Sequence, residues 1–389
     1  MSKFDLVNHY TLKIKKTLSG LYIHIPFCKK ACHYCDFHFS TSLKYRKEIV
    51  DAICLELKQQ NNFLKNPLLE SIYFGGGTPS ILTKLELEQI FNSINKNFQV
   101  EKNAEITIEA NPDDLNTNKI KELRDLPFNR FSLGVQSFDD KILNSLNRSH
   151  TTKQTLESYK ELNDHGYNNI SLDLILASHL STEQTFENDI LQISKLAPNH
   201  ISTYILTIEE KTTFGNWLKK NKIKEIDDIK AERQYSTTIQ TLESLGYEHY
   251  EISNFAKPNK RAIHNSNYWL NKPYLGIGPS AHSYDENHRY FNIANNASYI
   301  KAINNNTQVR TCEKLNHNEK TNETIMISLR TWQGLNLNKL NLTPESENEM
   351  KSILSHYISI RAIEIRHNAY HLTTSGKMIS DGIIEDLFQ

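Results

Sequence analysis

The sequence predicts an α/β fold: parallel βα units closing into a partial barrel or an open sheet, followed by a smaller α+β region. Three observations carry this expectation. Between residues 20 and 210, six short β-rich runs alternate with longer helix-like segments. Polar and glycine-rich residues collect just after those runs, where parallel α/β folds gather their chemistry. Beyond residue 210 the alternation stops, and the chain ends in a helix, a hairpin and a helix.

In order, the β-rich runs are LYIHIPF, SIYF, AEITIEA, RFSLGV, NISLDLIL and HISTYIL. The segments between them carry helical periodicity. In YRKEIVDAICLELKQQ, Ile49, Val50, Ile53, Cys54 and Leu57 form an apolar stripe, which predicts Cys54 as a buried core thiol. TTKQTLESYKELNDHG ends on Gly166, a residue suited to the left-handed turn that closes a helix. A helix over residues 229–245 opens an irregular region. SENEMKSILSHYI, AIEIRHNAYHLT and TSGKMISDGIIEDLF then read as a winged-helix-like unit that packs on the main domain.

The chain has 389 residues, with 45 basic and 45 acidic side chains, so no net field points to nucleic acid or an anionic membrane. No run of about eighteen apolar residues occurs, and the first twenty residues lack a signal-like apolar core. The expected location is the cytoplasm, with no transmembrane segment.

Five cysteines do not suggest a disulfide framework, because Cys28, Cys32 and Cys35 cluster while Cys54 and Cys312 stand alone. HIPFCKKACHYCDFHFS has the spacing C-x3-C-x2-C just past the first run, so three soft thiolates converge. A cubane held by three thiolates leaves one iron free for an exogenous ligand. A zinc site completed by His24, His33 or His38, and a redox couple of Cys32 and Cys35, are the alternatives.

Further candidates lie at the ends of the following runs. Gly76, Gly77 and Thr78 in FGGGTPS allow close backbone approach. Glu109 in TIEANPDDL and Gln136 in SLGVQSFDD end runs three and four, with Asp139 placed to cap the next helix. Arg148 in LNRSHT offers a planar fork for a carboxylate, and Asp173 interrupts an apolar strand.

With these motifs in order, the sequence resembles the radical SAM superfamily. YIHIPFCKKACHYCDF, YFGGGTPS, TIEANPDDL, RFSLGVQSFDD, LNRSHT and YEISNFAK together resemble its coproporphyrinogen III dehydrogenase-like group over nearly the whole chain. The resemblance implies a partial (β/α)6 barrel, a [4Fe-4S] cluster on Cys28, Cys32 and Cys35, and S-adenosylmethionine held by Tyr22, Tyr34, Gly76, Gly77, Thr78, Glu109, Gln136, Arg148 and Asp173. It also divides the chain into an extension (1–19), a core (20–235), a region with an H-N-x-x-Y-W motif (236–315) and the winged-helix-like unit (316–389).

Two features resemble the heme chaperone (HemW) branch more than the decarboxylating dehydrogenase. Phe37 stands where the dehydrogenase has a further cysteine. His264, Asn265, Tyr268 and Trp269 match the H-N-x-x-Y-W motif tied to heme binding. A histidine can ligate iron while aromatic rings face a porphyrin. The resemblance implies heme as cargo, His264 at the heme, and heme-accepting apoproteins, respiratory ones among them, as partners. His282 in GPSAHSY is read as an ordinary histidine. Two departures are noted. ASHLSTEQT at 177–185 replaces a segment like GLPGQT, and Asn147 replaces a glycine before Arg148.

Overall fold

The computed structural model describes residues 18–389, so the expected N-terminal extension lies almost wholly outside the described residues. Six strands follow one another in space as in sequence: β1 (Ser19–Ile25), β2 (Leu68–Gly76), β3 (Gln99–Ala110), β4 (Arg130–Gln136), β5 (Ile170–Leu176) and β6 (His200–Ile205). All five pairings are parallel. The hydrophobic runs are continuous because both faces are covered: Leu21, Ile23 and Ile25 are fully buried, as are Phe131 and Leu133. The helix Arg46–Gln59 buries Ile49, Val50, Ile53 and Leu57 against this sheet. Cys54, expected in the core, is only half-buried and donates to the Gln89 carbonyl of the next helix. Its place on the stripe faces a neighbouring helix and not the strands.

The region that reads as irregular builds both edges of the same sheet. β7 (Glu248–Glu251) and β8 (Asn254–Ala256) add antiparallel beyond β6. On the other side β9 (Tyr274–Ile277) pairs parallel with β1, and β10 (His282–Tyr284), β11 (His288–Asn292) and β12 (Arg310–Lys314) continue outward. The described residues thus form one open twelve-stranded sheet. These edge strands are three to five residues long, too short to show periodicity in the sequence. Cys312 is exposed on β12.

Buried Glu56 ties the two parts together. Its carboxylate accepts from Gly278 N, Asn292 Nδ2, Tyr299 Oη and Arg310 Nη2 at 2.7–3.2 Å. The C-terminal residues have their own core of Ile325, Leu329, Met350, Leu354, Ile363 and Ile383, with a helix (Pro344–Ser359), a hairpin (β13, Ile363–Arg366; β14, Ala369–Leu372) and two short helices. Lys377 of this unit bonds His249 on β7 at 2.8 Å. Among the described residues, no helix is long and apolar enough to cross a membrane.

Candidate cofactor and heme site

The loop bearing the cysteines leaves β1 and is closed at its base by Cys28 N to Ser40 O (3.1 Å) and Ser40 N to Pro26 O (2.9 Å). Its middle is pinned from two sides. His33 N reaches Leu146 O, and Phe214 N reaches His33 O. Asn147 Nδ2 holds Ala31 O at 2.7 Å. Cys28, Cys32 and Cys35 are all half-buried, and burial pushes the Cys28 and Cys35 thiols up to about 11. A metal must therefore displace their protons on binding.

Donors surround the sulfurs. Thr78 Oγ1 donates to Cys28 Sγ at 3.5 Å and Arg148 Nη1 to Cys32 Sγ at 3.4 Å. Of the histidines offered for a zinc site, His24 has both ring nitrogens engaged, on Tyr22 Oη and His38 O, while His33 and His38 have one each, on Ser145 O and Asn296 Oδ1. Among the described residues, no three His, Cys, Asp or Glu side chains converge closely enough for a single metal ion.

The glycines after β2 do something the sequence does not reveal. Gly77 is packed against the base of the cysteine loop: a Cβ there would lie 2.6 Å from Phe27 O and 2.7 Å from Ile25 O. Gly77 N donates to Ile25 O and Thr78 N to Phe27 O. Gly76, at φ +101°, abuts the His24 ring. Their lack of side chains thus brings two strand ends together, over and above any approach to a ligand.

Glu109 accepts from Tyr73 Oη (2.7 Å) and Gly76 N (3.2 Å), and burial raises its carboxyl to about 7. Asp173 accepts from Ser132 Oγ (2.8 Å) and Ser171 Oγ (3.0 Å). Desolvation raises its pKa. Gln136 ends β4 in the left-handed region, φ 63°, with its buried Oε1 unpaired. Backbone strain and an unpaired buried polar atom therefore coincide at this strand end. Arg148 does not offer the open fork expected of it. Nη2 is held by Asn111 Oδ1 (2.6 Å) and Gly134 O (3.0 Å), leaving buried Nε without a partner. Tyr34 packs with Ile142, Leu146 and Phe214 beneath the loop, and Tyr22 bonds His24 Nδ1 at 3.1 Å.

Both departures from the family pattern fall on left-handed residues. Asn147 has φ 58°, which asparagine tolerates, and Ala177 has φ 56°, where glycine would be unstrained. The segment after Ala177 is fastened to the helix Asp228–Ser244, with Ala177 N on Gln234 Oε1 and Lys230 Nζ on Ser178 O.

Next to this site lies a cavity of about 820 Å³, within the range of small-molecule and cofactor pockets. Phe37 and His38 of the cysteine loop line one side and Tyr268, Trp269 and Tyr274 another. Phe37 is 74% exposed there. His264 is not in the wall. It is 2% exposed, its Nδ1 pairs with Ser71 Oγ (2.9 Å) and its Nε2 with Tyr268 Oη (2.8 Å). The histidine expected at the heme thus stands behind the cavity, with no free lone pair in this conformation. Sequence reasoning missed this because the motif puts His264 and Tyr268 one helical turn apart on Ile263–Trp269, where they bond each other.

Residues 22–193 match the model of the radical SAM superfamily. The heme chaperone HemW of Lactococcus lactis is 31% identical over 375 residues, covering 94% of this chain and 96% of that protein. The chain belongs to the HemW family of the radical SAM superfamily. HemW of Bacillus subtilis is 32% identical over 376 residues, covering 94% of this chain and 98% of its own. In fold, the chain matches coproporphyrinogen III oxidase (HemN) from Escherichia coli with a TM-score of 0.82, covering 96% and 90% of the two chains at 21% identity. Radical SAM membership implies a [4Fe-4S] cluster and S-adenosylmethionine. The three half-buried thiols, the donors beside two of them and the unpaired Gln136 Oε1 fit that pair.

Proposed function

We propose that this protein is a heme chaperone: it holds heme in the cavity beside a [4Fe-4S] cluster that binds S-adenosylmethionine, and passes the heme to apoproteins, respiratory ones among the candidates. The observation that carries the reading is the shared wall. The cavity is bounded by Phe37 and His38, immediately beyond Cys35, and by Tyr268 and Trp269 of the H-N-x-x-Y-W motif. HemW relatives of this length are named for heme handling, and the aromatic lining suits a flat apolar macrocycle.

Cys28, Cys32 and Cys35 would hold the cluster and leave one iron open. Thr78 and Arg148 would donate to the ligand sulfurs, Glu109 and Asp173 would accept from hydroxyl or ammonium groups, and Gln136 and the Gly76–Gly77 backbone would complete the cofactor's surroundings. Tyr34 would seat the loop, and Tyr22 would orient His24. A bound cluster would supply one-electron reducing chemistry beside the cofactor. The protein supplies position and exclusion of water. Phe37 fills the place where the dehydrogenase carries a further cysteine, which favours carriage of heme over oxidation of its precursor.

The test is anaerobic reconstitution followed by heme titration and transfer to an apo-cytochrome. Stoichiometric uptake and transfer are expected. Conversion of coproporphyrinogen III to protoporphyrinogen would overturn the chaperone assignment.

A further inference from the structure

We propose that His282 is the axial ligand through which the cavity holds the heme iron. This rests on the heme-chaperone reading and adds to it the residue that bonds the metal.

Three histidines line the cavity: His24, His38 and His282. His24 has both ring nitrogens committed, to Tyr22 Oη at 3.1 Å and His38 O at 2.9 Å. His38 would have to give up its 2.8 Å bond to Asn296 to present Nε2. His282 is exposed to the cavity, and among the described residues neither of its nitrogens has a hydrogen-bond partner. Of the three it alone has both nitrogens open, so a neutral imidazole there could bind iron through either one without breaking a contact.

The fold fixes this side chain in place. A Cβ at Gly276 on β9 would collide with the His282 carbonyl, so only glycine lets β10 approach so closely. Ser283 Oγ accepts from Gly276 N at 2.9 Å and locks the register. Across the hairpin Phe291 meets the His282 ring edge to face, with centroids 4.8 Å apart. The ligand is therefore oriented before any iron arrives.

Its neighbours suit a porphyrin. The two-residue period of a strand puts His282 and Tyr284 on one face of β10. Tyr284 is 6.4 Å from Tyr274, and Tyr274 is 4.6 Å from Tyr268, centroid to centroid. A run of rings thus leads from Tyr284, on the same face of β10 as His282, to the H-N-x-x-Y-W helix. Lys272 and Arg289, also in the wall, are paired with Glu70 and Glu323, so a propionate there would share or replace those partners.

The experiment titrates hemin into full-length, cluster-reconstituted wild type, His282→Ala, His282→Met and His38→Ala, read by absorption and electron paramagnetic resonance. Wild type is expected to bind one equivalent with an imidazole-ligated spectrum. His282→Ala should lose that spectrum and bind roughly tenfold or more weakly, with free imidazole restoring it, and His282→Met should shift it to thioether ligation. A wild-type spectrum and affinity in His282→Ala, or the loss appearing in His38→Ala instead, overturns the ligand assignment alone. Failure of wild type to bind hemin overturns the chaperone reading and this proposal with it.

Discussion

The His264 imidazole stacks on the phenol ring of Tyr73, with centroids 5.1 Å apart and planes 26° from parallel, and this pair joins the two halves of the site. Tyr73 holds Glu109 on the cofactor side at 2.7 Å, while His264 holds Tyr268 of the cavity wall at 2.8 Å. The leading residue of the H-N-x-x-Y-W motif is a buried spacer that sets Tyr268 in position.

Burial, and after it the charge of Arg130, pushes the His264 pKa down to about 3 from 6.5. The folded state therefore resists a proton that the unfolded chain accepts. Stability from this group is full above pH 6.5 and is lost as pH falls toward 3, amounting to about 2 kcal/mol lost by pH 5. His264→Phe keeps the ring stack but removes this titration and the bonds to Ser71 Oγ and Tyr268 Oη, leaving Ser71 only its longer contact with Asn267. Urea unfolding should show about 1–3 kcal/mol lower stability at pH 8 and a shallower decline between pH 7 and 5. An unchanged decline would mean that His264 does not stay neutral in the fold.

Asp189 works in the opposite direction. Its carboxylate accepts from Ser137 Oγ (2.9 Å) and Phe138 N (2.6 Å), bracing the turn just after strained Gln136. Desolvation raises its pKa from 3.8 to about 7. Here the folded state binds the proton more tightly, so stability is fully present below pH 3.8 and is lost as pH rises through about 7. Asp189→Asn should remove roughly 2–3 kcal/mol of the difference in stability between pH 5 and pH 8, measured by denaturant midpoints at both values. Equal differences in the two proteins would refute the burial argument.

Gly77→Ala tests whether the glycine segment serves the cysteine loop. The added methyl meets the backbone at Phe27 and Ile25, which cannot swing aside as a side chain can. Overpacking of this kind costs about 1–3 kcal/mol. It should also shift Cys28, whose backbone follows Phe27. Expected are a lower melting temperature and reduced iron and sulfide after reconstitution. Full cluster content in a stable variant would restrict the glycine to a role toward the ligand.

The six parallel strands were legible because each contains a largely buried β-rich run flanked by helix-like segments, and the cysteine loop because its spacing is local. Leu68–Gly76 already runs through the first two glycines of FGGGTPS. Three things escaped the sequence. The edge strands β7 to β12 depend on long-range pairing, such as Gly20 with Tyr274, that no local pattern encodes. The burial of His264 could not be foreseen because its partner Ser71 lies 193 residues away. His282 looked ordinary because the role proposed for it comes from what does not bond it. Asn147 and Ala177, noted only as departures, prove to be left-handed backbone positions, which a sequence marks clearly only when glycine occupies them.

Arg148 bears on the cluster most directly. Its Nη1 points a donor and a positive charge at Cys32 Sγ, and Asn111 and Gly134 hold the guanidinium there, with Gly134 leaving room that a Cβ would take 2.9 Å from Nη2. A donor to a ligand sulfur favours the reduced, more negative cluster. Arg148→Lys keeps a charge but cannot span all three acceptors, and Arg148→Met removes both charge and donors. The reduction potential of the reconstituted cluster should therefore fall in the order wild type, Arg148→Lys, Arg148→Met, by tens of millivolts in a titration followed by electron paramagnetic resonance. Stability should fall by about 1–3 kcal/mol in the methionine variant, because Asn111 Oδ1 and the Gly134 carbonyl lose their donor. Equal potentials in all three proteins, with cluster content intact, would assign Arg148 to holding the loop and leave the cluster's electrons to other groups.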